Sequence, residues 1–558
     1  MRYVEKRNSV VQLAQRMRRL IRPANVQIKS ATKNMRIIRD VHVPMRDGSY
    51  LSANLYLPTG PGLFPVLLCL HPARKDKLCK NGYVHIQFRF ARQPGQISIS
   101  DETSFEAPDP DFWVPNGYAF LNIDKRGFGI SPPGAKPQMY WGDEEIEDIY
   151  DAIEWAGVQD WSNGNVGMLG VSYLAMNQYR TAALHPPHLK AICPWEGVSD
   201  LYREFFFYGG TPEEGFVKFL FGRLRTFGYG PDMESIRAAH VLRDDYWKSL
   251  AVPYEEINIP ILNCINFGTH MLHARGSARI HERTSSEHKW LYTHRTGEWT
   301  AFYSPEANAL MLKFFDYFLK GIDNGMLQHP KVRLEVREFA QQVTEVRDED
   351  QWPLGNTSWT PFYLDTRRQC LTADPIAGPS VASFDIAKGS TAFSYVFDRD
   401  TEIVGPMQLT VHVELEGCDD AYLFAGLQKF HHGKEVSFEG TYGFENDIVS
   451  KGALRVALRS VNKDLSLPYW PEYDFDTPRP VGPGEIVPLV FQLEAAATFY
   501  RRGDELRLTI QGRNFISGRI IDQPFKFPHN KAGTCKIHTQ FEGDPNQLLL
   551  PIIDKPSG

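Results

Sequence analysis

The chain has 558 residues, is 42% hydrophobic and 23% charged, and carries a net charge of −6 at pH 7. That balance leaves no basic footprint for nucleic acid, and no apolar run is long enough for a membrane-spanning helix, so a globular protein of two or more domains is expected. Seven scattered cysteines (Cys69, Cys79, Cys193, Cys264, Cys370, Cys418 and Cys535) form no C-x-x-C pair, which argues against structural zinc or a disulfide framework and for a reducing, cytoplasmic setting.

Residues 1–35 form a basic N-terminal segment with a single acid, Glu5. Val10, Val11, Leu13, Ala14, Met17, Leu20 and Ile21 fall on one helical face, as in a mitochondrial presequence or in a solvated, partner-docking helix. From about residue 36 the pattern turns to β. Arg39–Met45 and Leu51–Leu57 flank a turn at Arg46-Asp47-Gly48 and read as an antiparallel hairpin. Phe64–Leu70, Tyr118–Asp124, Val166–Gly170, Leu189–Pro194, Ile259–Ile265 and Lys289–Thr293 are continuous apolar runs, the signature of strands buried on both faces. Helical patterns separate several of them, most clearly Asp143–Ala156, so an α/β fold on a mainly parallel sheet is expected.

Within this series, Asn165–Ala175 reads as a buried strand, a sharp turn at Ser172 and a helix running on to Ala183. That is the layout of a nucleophile elbow, in which the serine hydroxyl stands clear of the sheet and the N–H of Tyr173 points to where an oxyanion forms. The second glycine of G-x-S-x-G is Leu174 here. Residues 199–257, rich in aromatic and charged residues, interrupt the alternation and read as a helical cap. Ala307–Gly321 is a final amphipathic helix. Beyond about residue 326, short β-rich runs separated by turn residues read as a jelly-roll β-sandwich. The expected division is a core of 36–198 and 258–325, a cap of 199–257 and a β-domain of 326–558.

Several motifs taken together resemble the cocaine-esterase-like and X-prolyl dipeptidyl-peptidase-like (CocE/NonD-type) branch of the α/β-hydrolases. They are Val43-Pro44-Met45-Arg46-Asp47-Gly48, Asp124-Lys125-Arg126-Gly127-Phe128-Gly129, Gly170-Val171-Ser172-Tyr173, Pro194-Trp195-Glu196-Gly197, Asp200-Leu201-Tyr202-Arg203, Phe314–Gly321 and Leu550-Pro551-Ile552-Ile553. The resemblance implies an α/β-hydrolase core, a helical cap, a C-terminal jelly roll and a Ser-His-acid triad.

The chain departs from the family pattern at three places. The position of the family's aspartate falls on Thr269, and that of its histidine falls near Glu298. Exchanged roles restore a triad, since a triad is defined by geometry rather than by loop: His273 as base and Glu298 as the acid that orients it. His270 and His294 compete as base, and Glu196 and Asp200 as acid. The family's oxyanion tyrosine is replaced by Ala73, with His71 or Arg74 as substitute donors beside the Tyr173 N–H. Asp124 and Arg126 are expected to pair structurally, and Glu147 and Asp148 to lie on a solvated face.

These residues point to a serine hydrolase or acyltransferase acting on an ester, amide or thioester of a hydrophobic small molecule, with Trp195, Phe205, Phe206, Phe207 and Tyr208 shaping its pocket. General-base chemistry of another type (cyclisation, aldol-type or elimination) and non-catalytic binding are the alternatives. No metal or cofactor is expected; a homo-oligomer is an open option.

Overall fold

The computed structural model describes residues 26–81, 95–339, 342–376, 378–441, 445–515 and 525–554. The amphipathic face at Val10–Ile21 lies outside these residues. Val26–Lys29 is already extended and pairs in parallel with Ile97–Ser100, so β structure begins earlier than the sequence pattern suggests.

Among the described residues, ten strands make up the part of the sheet that carries the site: β1 (Met35–Pro44), β2 (Tyr50–Pro58), β3 (Phe64–His71), β4 (Ala119–Asp124), β5 (Ser162–Val171), β6 (Leu189–Trp195), β7 (Ile261–Asn266), β8 (Lys289–His294), β9 (Val332–Phe339) and β10 (Gln342–Glu349). Their spatial order is β1-β2-β4-β3-β5-β6-β7-β8-β9-β10. From β1 to β9 only β2 runs antiparallel. This is an α/β-hydrolase sheet, and the carboxyl ends of its parallel strands gather along one edge, where such folds place their sites.

Helices cover both faces. On one, α1 (Asp143–Gly157) buries Ile146, Ile149, Ala152, Ile153 and Ala156 against β1–β6. Its period-3.6 apolar stripe explains the helix. The other central helix, α2 (Tyr173–Ala183), is buried along almost its whole length. The last core helix, α5 (Pro305–Lys320), starts on a Ser304 hydroxyl that accepts from the Ala307 N–H and has Pro305 in its first turn. It ends at Gly321, whose φ of 69° is the left-handed conformation that glycine adopts without a Cβ penalty.

After β10 the chain is β-rich. Its long central strands are β11 (Thr401–Glu416), β12 (Tyr422–His431), β13 (Ile486–Tyr500) and β14 (Glu505–Gln511). β11 and β13 pair antiparallel over most of their length, and β9 pairs with β13 at Arg337–Thr498, so the core sheet runs into the β-domain. No helix among the described residues is long and apolar enough to cross a membrane.

Two sequence expectations need correction here. Asp124 and Arg126 do not pair with each other: Asp124 Oδ1 accepts the Lys75 N–H, whereas Arg126 grips Asp148 with two nitrogens (2.9 and 2.6 Å) and reaches Asp47. Asp148 therefore is buried, not solvated; Glu147, half exposed, does face solvent. The acids of α1 lie on two faces, and the Arg126 guanidinium makes burial of one of them affordable.

Candidate active site

Ser172 sits at the turn from β5 into α2 with φ 57° and ψ −112°, a strained conformation for a residue with a side chain. The turn holds it there. The Ser172 N–H donates to the carbonyls ending β6, Trp195 and Glu196 (both 3.1 Å), and its own carbonyl accepts the Ala175 and Met176 N–H groups. A Cβ on Gly170 would come within 2.5 Å of Leu174 Cβ, so glycine is required on the strand side while leucine is tolerated on the helix side. Tyr173 is the first residue of α2, where a backbone N–H has no intrahelical partner.

His273 follows β7 and caps α3 (Ala274–Arg283). Its Nε2 lies 3.2 Å from Ser172 Oγ. On the opposite side of the ring, Nδ1 faces two carboxylates, Glu298 Oε2 at 3.6 Å and Glu196 Oε2 at 3.8 Å. Glu298 opens the short helix α4 (Glu298–Phe302) beyond β8, and Glu196 ends the β6 segment with φ 59°. His273, Glu196 and Glu298 are all buried.

Glu196 is well supplied with donors. His294 Nε2 lies 3.0 Å from its Oε1, and the Asn266 amide donates to the same oxygen at 3.3 Å. His294 Nδ1 accepts the Thr296 N–H at 3.3 Å. Burial disfavours a charge on Glu196, but contacts with His273 and His294 outweigh it and hold its pKa below the ordinary value. Burial pushes the pKa of Glu298 up, with the neighbouring Glu196 charge adding to the effect. For His273, burial opposes the imidazolium, yet the two carboxylates win and raise its pKa to about 9. Glu196 thus holds its charge more readily, and Glu298 more readily holds a proton.

A third carboxylate completes the cluster. Glu106 has φ 64°; its carbonyl accepts the N–H of Val171, the residue before Ser172, at 3.1 Å. Its carboxylate accepts the Trp299 indole N–H at 3.2 Å. Burial, with the neighbouring Glu298 carboxyl adding to it, raises its pKa well above the ordinary value. Such an arrangement can take a proton from Ser172 Oγ onto His273 Nε2 and stabilise the charge that results on the ring.

The comparisons fit this geometry. Residues 47–220 match the family model for X-Pro dipeptidyl-peptidase (S15 family), and residues 324–549 that for the X-Pro dipeptidyl-peptidase C-terminal non-catalytic domain. The crystal structure of a CocE/NonD family hydrolase from Staphylococcus aureus is 34% identical and superposes with a TM-score of 0.87, covering 94% of this chain and 97% of that one. The chain belongs to the CocE/NonD family of hydrolases. This hydrolase is a serine hydrolase of ester or amide bonds. It is 26% identical to the cocaine esterase of Rhodococcus sp. (strain MB1 Bresler) over 425 residues, 65% of this chain and 68% of the relative. An α-amino acid ester hydrolase, 17% identical, shares the fold, with a TM-score of 0.68 over 94% of this chain and 97% of that one.

Of the residues expected in the hydrolase's site, the structure brings together Ser172, Tyr173, His273, Glu298, Glu196 and His294. His270 is turned away, its Nδ1 3.3 Å from Asp447 of the β-domain. Asp200 is tied to Arg203 and Arg243. His71 Nε2 meets the Ser104 hydroxyl at 3.0 Å, and burial lowers its pKa to about 3, so it is a neutral core histidine. Ala73 and Arg74 lie half-buried in the loop after β3, Arg74 with φ 74°.

The expected pocket residues also need correction. Trp195 and Phe206 are fully buried and Tyr208 nearly so. Trp195 packs on Tyr292, His294 and Phe302 within the core, Phe206 stacks on Phe221 and Phe207 on Tyr202. Phe205, beside Trp141, lies closer to the elbow, because Trp141 in turn packs on Tyr173 at 4.3 Å. Glu106 has no sequence signal: it stands in a loop without a motif, and only the strand order carries it to the elbow.

Among the described residues, two groups of buried donor atoms lie close enough to share a cation, Glu196–His273–Glu298 and Glu196–Cys264–His294. The first contains the His273 ring that faces Ser172, and in the second burial raises the pKa of the Cys264 thiol.

Proposed function

We propose that Ser172 is the nucleophile of this serine hydrolase and His273 its general base. Glu196 and Glu298 jointly orient the ring, and the Tyr173 N–H is one oxyanion donor, with the loop at Ala73 as the place for a second. The observation that carries this reading is the approach of His273 Nε2 to Ser172 Oγ at 3.2 Å, with the serine held at φ 57°. The acid is a pair: Glu196 supplies the charge, and Glu298 shares the Nδ1 side of the ring.

In the same reading, residues 199–257 act as the cap over a core of 36–198 and 258–325, and residues 326–558 form the β-domain. Aromatic packing around Tyr173, by Trp141 with Phe205 and Phe221, favours an ester, amide or thioester of a hydrophobic small molecule. All seven cysteines are free, in keeping with a reducing, cytoplasmic setting.

Turnover of p-nitrophenyl esters of increasing acyl length tests the proposal. Ser172→Ala and His273→Ala are expected to lower kcat by about 10⁴-fold or more, with longer acyl chains preferred by the wild type. Esterase activity surviving in Ser172→Ala would contradict it.

A further inference from the structure

The loop between β7 and α3 that delivers His273 is not held by the core alone. Met271, two residues before His273, adopts φ 63°, a left-handed conformation that is strained for a residue with a side chain. In that conformation its N–H leaves the loop and donates to Glu494 Oε1 at 2.8 Å. Glu494 belongs to β13, in the β-domain.

The carboxylate that receives this N–H is itself fixed from several directions. The Tyr208 hydroxyl donates to the same oxygen. Arg275, two residues after His273, donates to the Tyr208 hydroxyl at 3.0 Å and to the Gln492 carbonyl at 3.3 Å; its guanidinium lies 4.3 Å from the Tyr208 ring centroid. The Glu494 carbonyl accepts the Ser450 hydroxyl. A second β-domain side chain, Thr441, donates to the His270 carbonyl at 3.1 Å. The segment around His273 is therefore held on both sides, by the His270 carbonyl and Met271 N–H before it and by the Arg275 side chain after it, and Glu494 joins the Met271 and Arg275 contacts through Tyr208.

We propose that Glu494 is a positioning residue for the hydrolytic reaction: it holds the Met271 N–H so that His273 Nε2 meets Ser172 Oγ, and the β-domain thereby supplies part of the catalytic geometry. The proposal rests on His273 being the base. Its physical basis is the steep dependence of proton transfer on placement, where a misplacement of about 1 Å costs on the order of 100-fold in rate.

The test compares Glu494→Ala, Glu494→Asp and Glu494→Gln in the full-length protein, with kcat and KM for an activated ester read per folded enzyme. Glu494→Ala is expected to lower kcat roughly 30- to 100-fold with KM within about 3-fold. Glu494→Asp, which keeps a carboxyl group but withdraws the acceptor, is expected to lose roughly 10-fold. Glu494→Gln keeps an acceptor oxygen for the Met271 N–H and is expected to recover most of the loss. A merely structural role would lower the melting temperature and leave kcat unchanged. If Glu494→Ala does not fold, Glu494→Asp decides, and wild-type kcat there overturns the proposal. Activity in His273→Ala would overturn the base assignment on which it rests; an inactive His273→Ala beside wild-type kcat in the Glu494 variants would overturn the positioning role alone.

Discussion

At the scale of single residues, the site is governed by the number of carboxylates around one imidazole. With Glu196 and Glu298 on its Nδ1 side, His273 has a pKa raised to about 9. A base must be neutral to accept the Ser172 proton, so kcat/KM is expected to rise with pH through this range rather than near 6.5, the ordinary histidine value. Removing a neighbouring negative charge lowers a histidine pKa by about 1–3 units. Glu196→Gln is therefore expected to move the rising limb toward neutral pH, and Glu298→Gln to move it less, because Glu298 more readily holds a proton. Equal shifts, or a limb already at pH 6.5 in the wild type, would argue against this division of charge. The same raised pKa has the opposite sign for stability: the folded state binds the His273 proton more tightly than the unfolded one. That contribution is fully present below about 6.5 and is lost as pH rises through about 9. Ser172 was legible in the sequence because a strand, a turn and a helix announce it locally. His273 and Glu298 were reached by exchanging roles between loops. Glu106, and the joint part of Glu196, come from separate loops that only the strand order unites.

At the scale of elements, the elbow and the helix that covers it are joined by buried charge. Lys125 Nζ, just past β4, lies 2.5 Å from Glu145 Oε2 in the first turn of α1, and both side chains are fully buried. Glu145 also accepts the Tyr173 hydroxyl at 2.7 and 3.0 Å. One carboxylate thus fastens the start of α1 to the first residue of α2. Breaking a buried pair from one side leaves an uncompensated charge and costs about 3–5 kcal/mol. Lys125→Met is expected to destabilise by about that amount in chemical denaturation, and the double variant Lys125→Met/Glu145→Leu by less. A single variant as stable as the wild type would show that the pair contributes nothing. The helix and its apolar stripe are legible in the sequence, where Glu147 and Asp148 read as solvent-facing. The stripe fixes which side of α1 meets the sheet, but not that Lys125 and Arg126 reach over to bury Glu145 and Asp148.

At the scale of the whole molecule, sheet and β-domain form one body: β9 pairs with β13, and the buried Arg295 guanidinium, just past β8, donates to the Glu439, Ile448 and Val449 carbonyls. Such contacts are invisible in a sequence, because they join segments about 150 residues apart. Burial has a further consequence in acid. His71 and His281 are fully enclosed, and desolvation lowers both to about 3. An unfolded chain protonates them near 6.5, so it binds more protons than the folded one between about 3 and 6.5, and stability falls as pH falls through that window. Each contributes a slope of about 1.4 kcal/mol per pH unit. Replacing His281 with Gln is expected to flatten the measured dependence by one such slope, and an unchanged slope would refute the assignment. The central claim, a serine activated by His273, is tested most directly by the site and rate of fluorophosphonate labelling, mapped by mass spectrometry in the wild type, Ser172→Ala and His273→Ala. The account predicts a single adduct on Ser172 that forms faster as pH rises toward about 9 and is nearly abolished in His273→Ala. Labelling at another residue, or undiminished labelling without His273, would contradict it.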